Sequence, residues 1–117
     1  MEVTQIRACI QQVLSDLAGH SSEDKSSETQ LVFDTTRDHY LYLRHDWDHM
    51  TRRYDVFVHI EINDGLVWVQ RDRTDYGVVE ALERLGVPKT QIVLGFQAPY
   101  KRKYSGFATG EKQVVSS

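Results

Sequence analysis

An α+β fold, with two helices flanking a four-stranded antiparallel meander, is the architecture this sequence predicts. Three observations predict it. A helix-period apolar stripe opens the chain, a period of two takes over from Gln30 to Gln70, and helical spacing returns over 78–85.

Each element has its own warrant. Val3, Ile6, Ile10, Val13, Leu14 and Leu17 recur three and four apart, which places them on one face of a helix about four turns long. Gly19 is positioned to end that helix in a left-handed cap. Residues 20–29 are polar and predict an exposed loop. Leu31-Val32-Phe33 predicts a short strand, 34–38 a turn, and His39-Tyr40-Leu41-Tyr42-Leu43 a second strand. The polar stretch 46–52 predicts another turn, with Trp47 tucked against the sheet edge.

The clearest hairpin follows. Tyr54, Val56, Val58, Ile60 and Ile62 alternate with Asp55, Phe57, His59 and Glu61 before Asn63-Asp64-Gly65, and 66–70 returns. A two-residue turn at Asp64-Gly65 sets Ile62 opposite Val67, Ile60 opposite Val69 and His59 opposite Gln70. Val56, Val58, Ile60, Ile62, Val67 and Val69 then share a core face, while Phe57, His59, Glu61, Trp68, Gln70 and Asp72 share the other.

Thr74-Asp75 can cap a second helix carrying Val78, Val79, Ala81, Leu82 and Leu85, ended by Gly86 and Pro88. Pro88-Lys89-Thr90-Gln91 predicts one tight turn and Ile92-Val93-Leu94 a short buried segment. The basic, aromatic stretch after Pro99 predicts a terminal segment folded back on the sheet, and 111–117 a frayed tail. No repeat or boundary divides the chain, so 1–117 reads as one domain.

Composition narrows the function classes. With 117 residues, 40% hydrophobic and 26% charged, the chain can build one core. Its apolar runs are far below the ~20 residues of a membrane-spanning helix, and Met1-Glu2-Val3-Thr4-Gln5 lacks a signal-peptide pattern. A cytoplasmic protein without membrane contact is expected. Cys9 is the single cysteine, which excludes an internal disulfide and multi-cysteine zinc sites; it reads as a small core residue. A net charge of -3 disfavours avid non-specific DNA binding. The basic groups Arg52-Arg53, Arg71/Arg73 and Lys101-Arg102-Lys103 read as solvated surface.

Candidate chemistry is sparse. His45-Asp46-Trp47-Asp48-His49 offers two imidazoles and two carboxylates, but ligands four apart share a face only on a helix, and this context is a strand end. Asp34, Arg37, Asp38 and His39 crowd one turn, where Asp34 can accept backbone N–H bonds and Arg37 can pair with Asp34 or Asp38. No Gly-x-Ser-x-Gly, reactive cysteine context or phosphate-cradling glycine loop accompanies them. The expectation is no catalytic residue, no metal and no cofactor. The face carrying Phe57, His59, Trp68 and Gln70 is the most informative feature, because aromatics among hydrogen-bonding side chains suit an interface, an intrachain cover or a pocket.

These residues also resemble a known family. Leu31-Val32-Phe33-Asp34-Thr35-Thr36-Arg37-Asp38-His39-Tyr40, Trp47, and the run from His59 to Asp72 are similar to the XisI family. So are Gly86-Val87-Pro88-Lys89, Ile92-Val93-Leu94-Gly95-Phe96 and Tyr104-Ser105-Gly106-Phe107-Ala108. The likeness runs from Leu31 to Ala108, with the N-terminal helix similar in placement only. This chain departs at Asp46, where the family pattern has Gly, and at Gln97, where it often has His.

The resemblance implies an fdxN-element excision controlling factor of the cyanobacterial type. Such factors act in heterocyst differentiation beside a site-specific recombinase and an XisH companion of nuclease-like fold. It implies a regulatory partner of an XisH-like protein, associated with DNA only indirectly, and it carries over no catalytic residues.

The combined expectation is a non-catalytic accessory factor and homo-oligomer with Tyr40, Phe57, His59, Trp68, Gln70 and Asp72 as interface candidates. One alternative is a small hydrolase or nuclease using Asp34, His39, His59 and Asp72. Another is a direct DNA-binding module using Arg52, Arg53, Lys101, Arg102 and Lys103.

Overall fold

The computed structural model describes residues 1–20 and 28–111, so most of the expected frayed tail and most of the expected loop lie outside the described residues. The described chain runs α1 (Val3–His20), β1 (Glu28–Asp34), β2 (His39–Asp48), β3 (Thr51–Asn63), β4 (Leu66–Asp72), α2 (Val78–Arg84), a 3-10 turn (Lys89–Gln91), β5 (Ile92–Leu94) and α3 (Pro99–Arg102). The α+β class stands. The strands form one sheet in the order β1-β2-β3-β4-β5.

Among the described residues the sheet has five strands rather than four, and it is mixed. Ile92-Val93-Leu94 pairs parallel to β4, with Val67 opposite Ile92 and Val69 opposite Leu94. The helix α2 makes this possible, because a parallel neighbour needs a crossover long enough to return the chain to the same end of the sheet.

α1 buries Ile6, Ile10, Val13, Leu14 and Leu17, the stripe its spacing predicts. These pack with Tyr40, Tyr42, Val58, Ile60, Val67 and Val69 from the sheet and with Val78, Val79, Ala81 and Leu82 from α2. Cys9 is half-buried against the same cluster. Gly19 does not stop the helix. It stays within α1, which continues to His20, whose Nδ1 lies 2.9 Å from the Asp16 carbonyl.

The other stops behave as their chemistry dictates. Asp64 (φ 52) and Gly65 (φ 75) both take the left-handed conformation that a two-residue hairpin requires. At the end of α2, Gly86 at φ 101 donates to the Glu83 carbonyl and Val87 to Leu82, the paired bonds of a glycine-terminated helix. The N-terminus of α2 departs from expectation. Gly77 occupies the cap position, and the carboxylate that reaches it is Asp72, accepting from the Thr74 N–H (2.9 Å), the Thr74 hydroxyl (2.6 Å) and Val78 N–H (3.4 Å).

Two β-bulges reorganise the faces of the sheet. Tyr42 pairs with Val58 but Leu43 pairs with Val56, so Phe57 is an extra residue in β3. Ile60 pairs with Val69 but His59 pairs with Arg71, so Gln70 is an extra residue in β4. Each insertion exchanges the faces of every residue beyond it. Val56, expected in the core, therefore emerges on the outer face. Phe57, expected outside, packs against the core, with the Arg44 and Arg73 guanidinium groups 5.1 and 5.4 Å from its ring centre. Asp72 likewise leaves the outer face and serves α2. His59 stands opposite Arg71 rather than Gln70.

Among the described residues, β2 and β3 extend as a two-stranded ribbon past the ends of their neighbours. β1 stops at Glu28 opposite His45, and β4 reaches only Val58, so 51–56 of β3 have a strand on one side alone among the described residues. The predicted turn within 46–52 tightens to His49-Met50, with His49 at φ 56.

Candidate functional site

The outer sheet face, opposite α1, is divided into a covered half and an open half. Trp68 lies in the covered half. The Arg102 guanidinium sits 5.2 Å from the centre of its ring, held there by bonds to the Gln97 carbonyl (3.1 Å) and the Gly95 carbonyl (3.2 Å). Ala108 bridges to Val93, donating to the Ile92 carbonyl at 2.9 Å, and brings Gly110 onto the indole edge. A Cβ at Gly110 would stand 2.4 Å from the indole, so only glycine fits. The terminal segment is thus folded back on the sheet as predicted. It packs over Trp68 within the chain and leaves the indole partly buried.

The open half is a depression of about 600 Å³ lined by His39, Leu41, Val56, His59, Gln70 and Arg71. Both bulges build it: the first turns Val56 outward, and the second puts Gln70 and Arg71 on the same side. Cross-strand pairing supplies the polar groups, since His39 of β2 is directly opposite Glu61 of β3, and His59 lies two residues from Glu61 on that strand.

Their geometry is close. His39 Nδ1 lies 3.3 Å from His59 Nε2 and 3.4 Å from Glu61 Oε2. Gln70 Nε2 donates to Glu61 Oε1 at 2.5 Å and fixes the carboxylate. Gly95 lets the strand approach Gln70, because a Cβ there would stand 2.5 Å from the Gln70 side-chain oxygen. Burial, and secondarily the neighbouring His39, pushes the His59 imidazole below its ordinary value, while Glu61 pulls it upward. Where sequence reading assembles no metal-ligating set, the fold brings together the donor atoms of His39, His59 and Glu61, all within 4.8 Å of one another. A directly opposed pair plus a diagonal neighbour is invisible until the strand register is known.

The remaining sequence candidates go elsewhere. Tyr40 is fully buried in the core, and its hydroxyl donates to Asp38 at 2.8 Å, so it offers no interface contact. Burial first, then the bond to that carboxylate, pushes the Tyr40 hydroxyl up to about 12. Arg7 of α1 grips Asp38 with two bonds of 2.7 and 3.0 Å, so Asp38 ties helix to turn rather than serving Arg37. Asp34 accepts from the Thr36 and Arg37 backbone N–H groups at 3.0 and 2.9 Å and faces the Arg37 guanidinium at 3.5 Å, the turn role its sequence context predicts.

On the ribbon, His45-Asp46-Trp47-Asp48-His49 does not converge. Asp46 takes a bidentate bond from Arg53 (2.6 and 2.8 Å), while His45 stacks on Tyr54 at 5.4 Å. Trp47 is not tucked against the sheet edge. It is 61% exposed, with the Arg52 guanidinium 5.4 Å from its ring centre. Met50 is 94% and Tyr54 56% exposed beside it.

Fold and site together define a small sheet-based domain with a partly covered outer face and a projecting aromatic ribbon. A model of the XisI protein family matches residues 1–109, and the chain belongs to the XisI family. The match takes in α1, which by sequence resembles the family in placement only. The crystal structure of a XisI-like protein from Anabaena variabilis ATCC 29413 is similar, with 36% identity, a TM-score of 0.86 and coverage of 92% of this chain and 98% of the other. The crystal structure of the fdxN element excision controlling factor XisI from the same organism is similar at 30% identity, with a TM-score of 0.82 and coverage of 92% and 97%. No curated protein matches the chain. Among the described residues no helix is long and apolar enough to cross a membrane.

Proposed function

We propose that this chain is a non-catalytic accessory factor in the controlled excision of a DNA element. In this reading it acts in the cytoplasm as a homo-oligomer that contacts an XisH-like companion, and so associates only indirectly with DNA and a recombinase. Family membership supports the excision role, through the neighbour described as an excision controlling factor. The ribbon carries the argument for protein contact. Trp47, Met50 and Tyr54 are exposed together on a ribbon whose β3 residues 51–56 have a neighbouring strand on one side alone among the described residues, an arrangement that suits contact with another chain. Strand addition plus aromatic anchoring is the recognition mode such an edge offers.

Neither alternative is assembled as sequence reading drew it. Of the hydrolase set, His39 and His59 meet, but Asp34 is committed to its turn and Asp72 to the start of α2. Of the DNA-binding set, Arg52 stacks on Trp47, Arg53 holds Asp46 and Arg102 covers Trp68.

Co-expression with an XisH-like protein tests the reading. The two chains should co-elute in size-exclusion chromatography, and Trp47→Ala combined with Met50→Asp should separate them without lowering the melting temperature. Separate elution of the wild-type proteins overturns the partner, and co-elution that survives both substitutions overturns the ribbon as its docking site.

A further inference from the structure

We infer that His39, His59 and Glu61 form a binding site for one divalent transition-metal ion of the zinc class, facing the open depression of the outer sheet. The site goes beyond the accessory-factor reading and does not depend on it.

The donor set and its spacing carry the inference. Two imidazoles with one carboxylate form a set that suits zinc, cobalt and iron(II), whereas calcium and magnesium take oxygen ligands and disfavour the imidazoles. Ligand atoms ~2.1 Å from a tetrahedral ion stand ~3.4 Å from one another. The His39 Nδ1 to His59 Nε2 and His39 Nδ1 to Glu61 Oε2 distances are 3.3 and 3.4 Å. Two edges of the tetrahedron are therefore already at coordination length.

The surroundings fit as well. Gln70 occupies Glu61 Oε1 and leaves Oε2 for the ion, the kind of outer hydrogen bond that orients a metal-binding carboxylate. His39 and Glu61 are partly exposed, at 42% and 22% of their side chains, so an ion can enter from solvent. Three protein ligands leave a fourth position, open toward the depression, for water or a donor from outside. Arg71, opposite His59 and lining the same depression, favours an anionic group there.

Titration of the full chain with zinc against a chromophoric chelator, and with cobalt(II) followed by its d–d absorption, tests the assignment. One equivalent should bind, with the intense visible bands of a four-coordinate cobalt site. His39→Ala and Glu61→Gln, both at partly exposed positions, should abolish stoichiometric binding while keeping the wild-type circular dichroism. Gln70→Ala should weaken it by about tenfold or more. Absence of a one-equivalent site in the wild type overturns the inference and leaves a histidine–carboxylate hydrogen-bond cluster only. Binding unchanged in folded His39→Ala and Glu61→Gln overturns it equally, by placing the ion elsewhere.

Discussion

Two halves of one sheet face meet opposite fates in this protein. Around Trp68 the chain returns to cover itself, with Arg102 over the ring and Gly110 against its edge. A few residues away, around His39 and His59, the same sheet lies open in a depression that nothing described covers. The covered half is built by the Arg102 guanidinium over the indole and by Gly110, which admits close approach to its edge. The open half is built by bulges, which turn side chains outward and leave polar groups half-buried beside one another. The contrast teaches that the covered half serves stability, whereas groups so arranged in the open half are available for binding.

Substitutions can break this contrast, and the largest effect belongs to the covered half. Trp68→Ala should destabilise the fold by about 3 kcal/mol, toward the lower end for an aromatic truncation because the ring is only partly buried, as read by urea denaturation. Next, Gly110→Ala places a methyl group on the indole at a φ of 74, and should lose about 1–3 kcal/mol in the same measurement.

A pH series sharpens the comparison on the open side, which rests on the turn that Asp38 anchors. Chiefly through Arg7, whose guanidinium donates to it, the Asp38 carboxyl is held below its usual value. A carboxylate depressed in the folded state contributes stability fully above its unfolded value and loses it as the pH falls through the folded one. Thermal melts should therefore show Asp38→Asn less stable than wild type near neutrality, with the gap narrowing in acid. The smallest effect is expected in the depression itself, where Val56→Thr should change stability by no more than about 0.5 kcal/mol. A loss as large as that of Trp68→Ala would show that Val56 is core after all.

Much of the scaffold was legible in the sequence, because local chemistry decides it. The stripe of α1, the Asp64-Gly65 turn and the Gly86 stop each depend on residues within a few positions. The bulges were not legible, since alternation runs unbroken through Tyr54, Val56, Val58 and Ile60 and offers no sign that Phe57 is inserted. That single hidden residue misplaced Val56 and Phe57; the second, Gln70, misplaced Asp72. Ile92-Val93-Leu94 is too short a run to reveal a parallel strand. Tyr40 looked like a surface aromatic because the partner that makes its burial tolerable, Asp38, is itself set by Arg7, 31 residues earlier. The candidate site was half visible. Both histidines were singled out, but their meeting with Glu61 depends on register across two strands.

The two tryptophans, the only pair in the chain, stand in opposite surroundings. Trp68 is sheltered beneath the returning segment, and Trp47 projects into water from the ribbon. Native fluorescence therefore carries two separable optical signals. A red shift from the indole at position 68 would announce that the returning segment has lifted, and a blue shift from the one at 47 that the ribbon has found a mate.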